Sequence, residues 1–440
     1  MRYVLIIAWA VGLAAGAEYD PDKVLTRAIQ KTLASAREIP NYTCVETVSR
    51  DYYAPLAVSL PRDCTVLLEQ RRHPTPDLVL QLYSSDRLRL DVTMAQRGEI
   101  YSWPGASRFE DAGIDQVVRH GPIGTGSFGG IVDVVFKGDV KTFTFERTLT
   151  ASDRTLMEYS FQVAQPGSHY SMKADNSWVR VAYSGAFQVD AETADVVRMT
   201  ITTGDLPPAT GACKSTTTMD LARAQIGGGR FLLPTQARQR FVYRNAEETE
   251  NTTGFTHCRE FRGESTVTFS PYSRTVTDEL TKSASAGVIP LPTGLLFSFG
   301  LTASIPTDTA AAGDPFSGRL SDAIRDRGGK LVAPKGAVVD GRLLRVQRFF
   351  RPPEVVVVLR PEALWIRGAR VPLSVERDWT RVQLEARRKG KKSVEIVLPL
   401  PGEDNSGAFR FAGTHVVVPK RFPSEWRTAP LRGSAQTVKK

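Results

Sequence analysis

The chain has 440 residues, 41% of them hydrophobic and 24% charged, and a net charge of +10. That length leaves room for two or three domains with sizeable cores, and the ordinary apolar content excludes a disordered or collagen-like chain. Charge is uneven: from residue 276 onward there are 27 Lys/Arg against 16 Asp/Glu, and before it 30 against 31.

The chain opens with Arg2, an apolar run from Val4 to Leu13 and the small residues Ala14-Ala15-Gly16-Ala17. A positive charge, a short apolar stretch and an A-x-A site make a secretory signal, with cleavage expected after Ala17. The run is shorter than the roughly 20 apolar residues a spanning helix needs. The other apolar candidate, Val288 to Ile305, contains Pro290, Pro292, Gly294 and Gly300, which suit a loop and strand better. The expectation is a periplasmic or extracellular protein with no transmembrane span after cleavage. An exported protein meets little nucleic acid, so the basic half points to an anionic envelope surface or an envelope protein as partner.

Asp20-Pro21 reads as a helix cap and first helical position. Val24, Leu25, Ala28, Ile29, Leu33 and Ala36 fall on one face, and Pro40 closes the helix. Strands follow. Met157, Tyr159, Phe161 and Val163 alternate, as do Val179, Val181 and Tyr183. Residues 187–199 read as strand, turn, strand, and Gly227-Gly228-Gly229 separates two more strands near 215–226 and 231–244. A last strand of this domain is expected over about 256–269. Residues 18–270 are thus expected to form an antiparallel sheet with one covered face, 271–287 a linker, 288–428 a basic all-β domain, and 429–440 a disordered tail.

Cys44, Cys64, Cys213 and Cys258 form an even set without C-x-x-C spacing, so disulfides are expected in an oxidising compartment. Of three pairings, Cys44–Cys64 and Cys213–Cys258 keep each bridge within one half of the first domain. A simple meander would hold the second pair two strands apart, beyond a disulfide's reach unless the sheet folds over.

Catalytic and metal motifs are missing from the sequence. Five histidines are scattered without ligand spacing, and no G-x-S-x-G elbow or S-x-x-K occurs. Gly124-Thr125-Gly126-Ser127-Phe128-Gly129 matches G-x-G-x-x-G, but it follows the loop Arg119-His120-Gly121-Pro122 instead of a strand, so no dinucleotide cofactor is expected. It reads instead as a Gly-rich lid over the sheet. Arg387, Arg388, Lys389, Lys391 and Lys392 cluster between two predicted strands and are the expected contact for an anionic surface.

The helix at the start of the mature chain is followed by Arg87 to Val92, Gly98 to Trp103 and the hairpin Phe187-Gln188-Val189-Asp190-Ala191-Glu192-Thr193. This series resembles the LolA-like periplasmic half-barrel of lipoprotein carriers and lipid-binding lipoproteins over about residues 20–270. The resemblance implies a strongly curved antiparallel sheet around helices, with a concavity for acyl chains. In the second domain, Gly300-Leu301-Thr302, Phe316 to Leu320 and Ala333 to Arg342 resemble the small β-barrel of TrbI-type secretion proteins. The segments Asn41 to Cys44 and Cys258 to Ser265 are also similar to those of exported proteins of soil bacteria.

The expected fold is therefore mainly β: a half-barrel with an N-terminal helix, then a smaller all-β domain. The expected function is non-enzymatic. Tyr159, Phe161, Val179, Val181 and Tyr183 would line an apolar or lipid site with the Gly-rich segment at its mouth, and the basic domain would dock to the envelope. The alternatives are an assembly module of an envelope or secretion complex without a ligand, and an exported hydrolase of unknown type.

Overall fold

The computed structural model describes residues 19–56, 63–73, 79–95, 98–106, 109, 113–151, 154–175, 177–204, 206–260, 291–376 and 394–431. The signal segment, residues 271–287 and the cluster Arg387 to Lys392 lie outside these residues. The protein is mainly β, with a large open antiparallel sheet and a helix at the N-terminal side.

Helix α1 (Pro21–Glu38) begins as the Asp20-Pro21 pair requires: the Asp20 carboxylate accepts from the Asp22 and Lys23 amides at 3.1 and 3.3 Å. Strand β1 (Tyr42–Pro55) follows, then α2 (Cys64–Arg72), β2 (Leu80–Ala95) and β3 (Gly98–Ser102). Two short helices, α3 (Ile114–Val117) and α4 (Gly130–Val134), come next, and α4 runs into a π-helical turn over Val135–Asp139. The strands β4 (Thr144–Ala151), β5 (Arg154–Val163), β6 (Ser171–Ala174), β7 (Ser177–Arg180), β8 (Tyr183–Asp190), β9 (Val196–Thr203), β10 (Ala212–Ile226), β11 (Gly229–Tyr243) and β12 (Glu248–Glu260) complete this part.

Its strands pair antiparallel in the order β4–β5–β8–β9–β10–β11–β12–β1–β2–β3. The first strand is thus inserted between the last strand and the second. β6 and β7 form a separate hairpin. α1 lies on the sheet's inner face, burying Val24 and Ala28 among Tyr159, Phe187, Met199 and Ile201.

The insertion of β1 corrects the expected disulfides. Thr43 pairs with Arg259, which brings Cys44 beside Cys258; these two are bonded, with Cα atoms 4.0 Å apart. Cys64, at the start of α2, is bonded to Cys213 on β10, with Cα atoms 5.2 Å apart. Pairing within each half fails because the first and last strands of this part, β1 and β12, meet in one ladder. Two disulfides fit a protein folded in an oxidising, exported environment.

The remaining strands are β13 (Leu296–Leu301), β14 (Ile305–Pro306), β15 (Pro315–Leu320), β16 (Ile324–Arg325), β17 (Leu331–Ala333), β18 (Val338–Phe350), β19 (Pro353–Ile366), β20 (Ala369–Pro372), β21 (Val375–Glu376), β22 (Val394–Val397), β23 (Gly407–Ala412), β24 (Val417–Val418) and β25 (Pro423–Thr428). They surround their own core, where Phe299 stacks between Trp426 and Phe316 with centroids 5.9 and 6.1 Å away. Ala333 to Arg342 forms the end of β17, a turn and the start of β18.

The two parts share backbone hydrogen bonds. β2 pairs with β18 at Ser84–Asp86 and Phe349–Gln347, and Arg89 N donates to Ala312 O while Ala312 N donates to Arg87 O, both at 2.8 Å. A Cβ on Gly313 would sit 2.2 Å from the Arg89 carbonyl, and its φ is +101°, so glycine is required at this junction.

Candidate functional site: two clefts divided by a glycine-rich segment

The inner face of the sheet is filled at one end and open at the other. Tyr159 is fully buried, donating to the Pro21 carbonyl at 2.7 Å and stacking on Phe187. Phe161 is 3% exposed and meets Phe143 and Tyr183 edge-on. These two side chains, expected at a ligand, are core residues, because α1 and the π-turn bring Val24, Ala28 and Phe136 over them. Val179, on β7, and Val181, just after it, pack with Leu206 and Ala212. Of the five, Tyr183 lines a cleft, though it is itself buried.

That cleft has a volume of about 750 Å³, and its walls include Ile114, Tyr170, Met172, Trp178, Tyr183 and Phe241. A second cleft, about 990 Å³, lies beyond the C-terminal turn of α1. Its walls are mostly apolar: Ile39, Met94, Ile100, Phe128, Leu232 and Leu233. Residues of β1, β2 and β11 line it, and the cleft's existence depends on where α1 stops. A helix of 18 residues spans about 27 Å, too little to cover the whole series of strands.

The Gly-rich segment and α4 form the wall between the clefts: Gly130 lines the first, Gly129 the second, and Asp133 touches both. The segment is held by a carboxylate. Glu99 on β3 accepts from Gly126 N at 2.5 Å, Phe128 N at 2.9 Å, Gly130 N at 3.1 Å and the Tyr101 hydroxyl at 2.5 Å. Successive amides converging on one anion are what a phosphate-binding loop offers; here the protein's own side chain occupies them. Gly126 (φ +95°) and Gly129 (φ +144°) supply the left-handed turns this needs. The helix that follows the segment, α4, is five residues long.

Further anchors fix the segment's start. Arg50 donates to His120 O at 2.6 Å and Asn251 to Pro122 O at 3.0 Å. Arg50 itself forms a buried two-pronged pair with Asp86, at 2.7 and 2.6 Å. At the segment's far end, Asp139 accepts from the His169 amide and the Tyr183 hydroxyl, both at 2.8 Å. Burial raises the Asp139 pKa, but these hydrogen bonds outweigh it and hold the carboxyl below its usual range.

Glu46, 1% exposed on β1, is an unusual neighbour. Burial pushes its pKa well above the carboxylate range, and the charge of Glu99 adds to the shift. One of its oxygens has no hydrogen-bond partner. Nothing in the alternation of β1 marks it except a carboxylate at an inward position. Chemically, His169 Nδ1 lies 2.5 Å from Asp139, yet among the described residues no serine is hydrogen-bonded to a histidine. No group of three or more His, Cys, Asp or Glu that could hold a metal occurs among them.

No family model and no curated protein matches the chain. Several solved structures show partial similarity, among them two that cover about half of this chain. One is a DUF1329 family protein from Desulfovibrio piger: 9% identity, TM-score 0.26, 55% of this chain and 94% of that one. The other is a putative outer membrane lipoprotein-sorting protein domain from Vibrio parahaemolyticus: 9% identity, TM-score 0.24, 54% of this chain and 95% of that one.

Proposed function

We propose that this is a non-enzymatic envelope protein that carries an apolar, acyl-chain ligand in the cleft beyond the end of α1. One observation supports the reading above others: a cleft of about 990 Å³, with Ile39, Met94, Ile100, Phe128 and Leu232 on its walls, lies beside a well-packed core. Small-molecule sites span about 300–1,000 Å³ and are mostly apolar with a few polar groups. Its polar lining includes Thr32, Ser35 and Asn41 and the charged Asp91, Asp133, Lys137 and Arg259. The basic second half, with Arg387, Arg388, Lys389, Lys391 and Lys392, would dock the carrier to an anionic envelope surface.

The test is native mass spectrometry of protein purified from the exported fraction. A co-purifying mass that dissociates on activation and extracts into organic solvent as a lipid supports the carrier. Ligand-free spectra, with no uptake from added fatty acid, favour the assembly module, which draws on the filled end of the inner face.

A further inference from the structure

The outer face of the sheet, opposite the clefts, carries a further concavity of about 230 Å³ where α2 lies against β10 and β11. Leu68 and Val242 form its floor; Arg71, Arg72, Lys214 and Arg240 surround it, with the Thr216 hydroxyl alongside. Its one carboxylate, Glu248, is 2% exposed and already engaged twice: with Arg71 Nε at 2.8 Å and with Arg240 Nε at 2.5 Å. Arg71 also donates to Ala246 O at 2.6 Å. Glu248 therefore fixes two guanidinium groups side by side and neutralises one charge of the two.

Lys214 adds a further positive charge and has no ion-pair partner among the described residues. A register shift lies between Ala212 and Lys214, and the Cys64–Cys213 bond ties the residue before Lys214 to the first residue of α2. Arg72 pairs with Glu69 at the exposed rim, a contact of little strength in water. The result is four basic side chains, Arg71, Arg72, Lys214 and Arg240, held against two carboxylates, Glu248 and Glu69, an excess of positive charge.

We propose that this concavity binds a phosphate group, as a phosphate ester or a phospholipid headgroup. Paired guanidinium groups and an ammonium match the oxygens of a phosphate, and the site is independent of the acyl cleft on the other face.

The experiment titrates the full-length protein with inorganic phosphate at low ionic strength, using sodium chloride of equal ionic strength as the control. Lys214→Gln and Arg240→Gln are compared with wild type, and the cluster Arg387 to Lys392 is left intact throughout. Wild type should bind phosphate, and each variant should bind about tenfold or more weakly, the loss of one charge-assisted contact. Lys214→Gln severs no internal ion pair, so its melting temperature without phosphate should equal that of wild type. Absence of phosphate binding, or equal affinity in wild type and Lys214→Gln, would overturn the proposal. Vesicles of phosphatidylcholine with and without phosphatidic acid then separate the sources. Both outcomes support the site: a preference for phosphatidic acid that Lys214→Gln reduces assigns a lipid headgroup, and phosphate binding without that preference assigns a soluble ester.

Discussion

Glu46 shows what a single inward carboxylate does on this sheet. With its folded pKa raised well above the ordinary 4.5, the folded state holds a proton that the unfolded chain releases. Its favourable contribution is complete below about pH 4.5 and is lost as pH rises through the folded pKa. Glu46→Gln should therefore match wild type in acid and exceed it in stability as pH rises; melting curves from pH 4 to 9 that stay parallel would refute this assignment. The cysteines make the complementary point. Their types and even number were legible in the sequence, but their partners were not, because pairing depends on β1 entering the ladder beside β12. Replacing Cys64 and Cys213 together with Ala opens a bridge between residues 149 apart and should cost about 2–5 kcal/mol in a urea melt.

Among elements, α1 and most strands were readable because the signals are local: an aspartate cap before proline, alternation along 157–163, and glycines at the β10–β11 turn. The register of those strands was not. The alternation of Val179, Val181 and Tyr183 looks continuous, yet the structure divides it between the β6–β7 hairpin and β8. The open clefts were also invisible in sequence, since they depend on where a helix ends relative to a sheet. The Gly-rich segment was found by its composition, whereas its partner Glu99 lies outside the motif and is recognised only in three dimensions. Glu99→Ala would strand three amide donors and one hydroxyl, at roughly 2–3 kcal/mol. Hydrogen exchange should then accelerate at residues 126–130 and leave the strands of the second part unchanged. Uniform acceleration across the chain would show that Glu99 is a global support and not a local clasp.

Across the whole molecule, a cleft-bearing part and a basic part are joined through the β2–β18 ladder, so surface docking would present the clefts in one orientation. The excess of 27 Lys/Arg over 16 Asp/Glu after residue 276 should give binding to anionic vesicles that weakens steeply as salt rises, because exposed charges are screened beyond about 8 Å at physiological ionic strength. Replacing Arg388, Lys389, Lys391 and Lys392 with Ser should weaken co-sedimentation and leave the melting temperature unchanged; undiminished binding would place the contact elsewhere. The central claim concerns the cleft beyond α1, and titration with a fluorescent fatty acid tests it most directly. Wild type should saturate with one probe per chain. Ile100→Asp and Leu232→Asp, each placing a charge on the cleft wall, should weaken binding about tenfold or more, since an unpaired buried charge costs several kcal/mol, while far-ultraviolet circular dichroism stays unchanged. A wild-type protein that takes up no probe, or folded variants that bind it as tightly as wild type, would contradict the account.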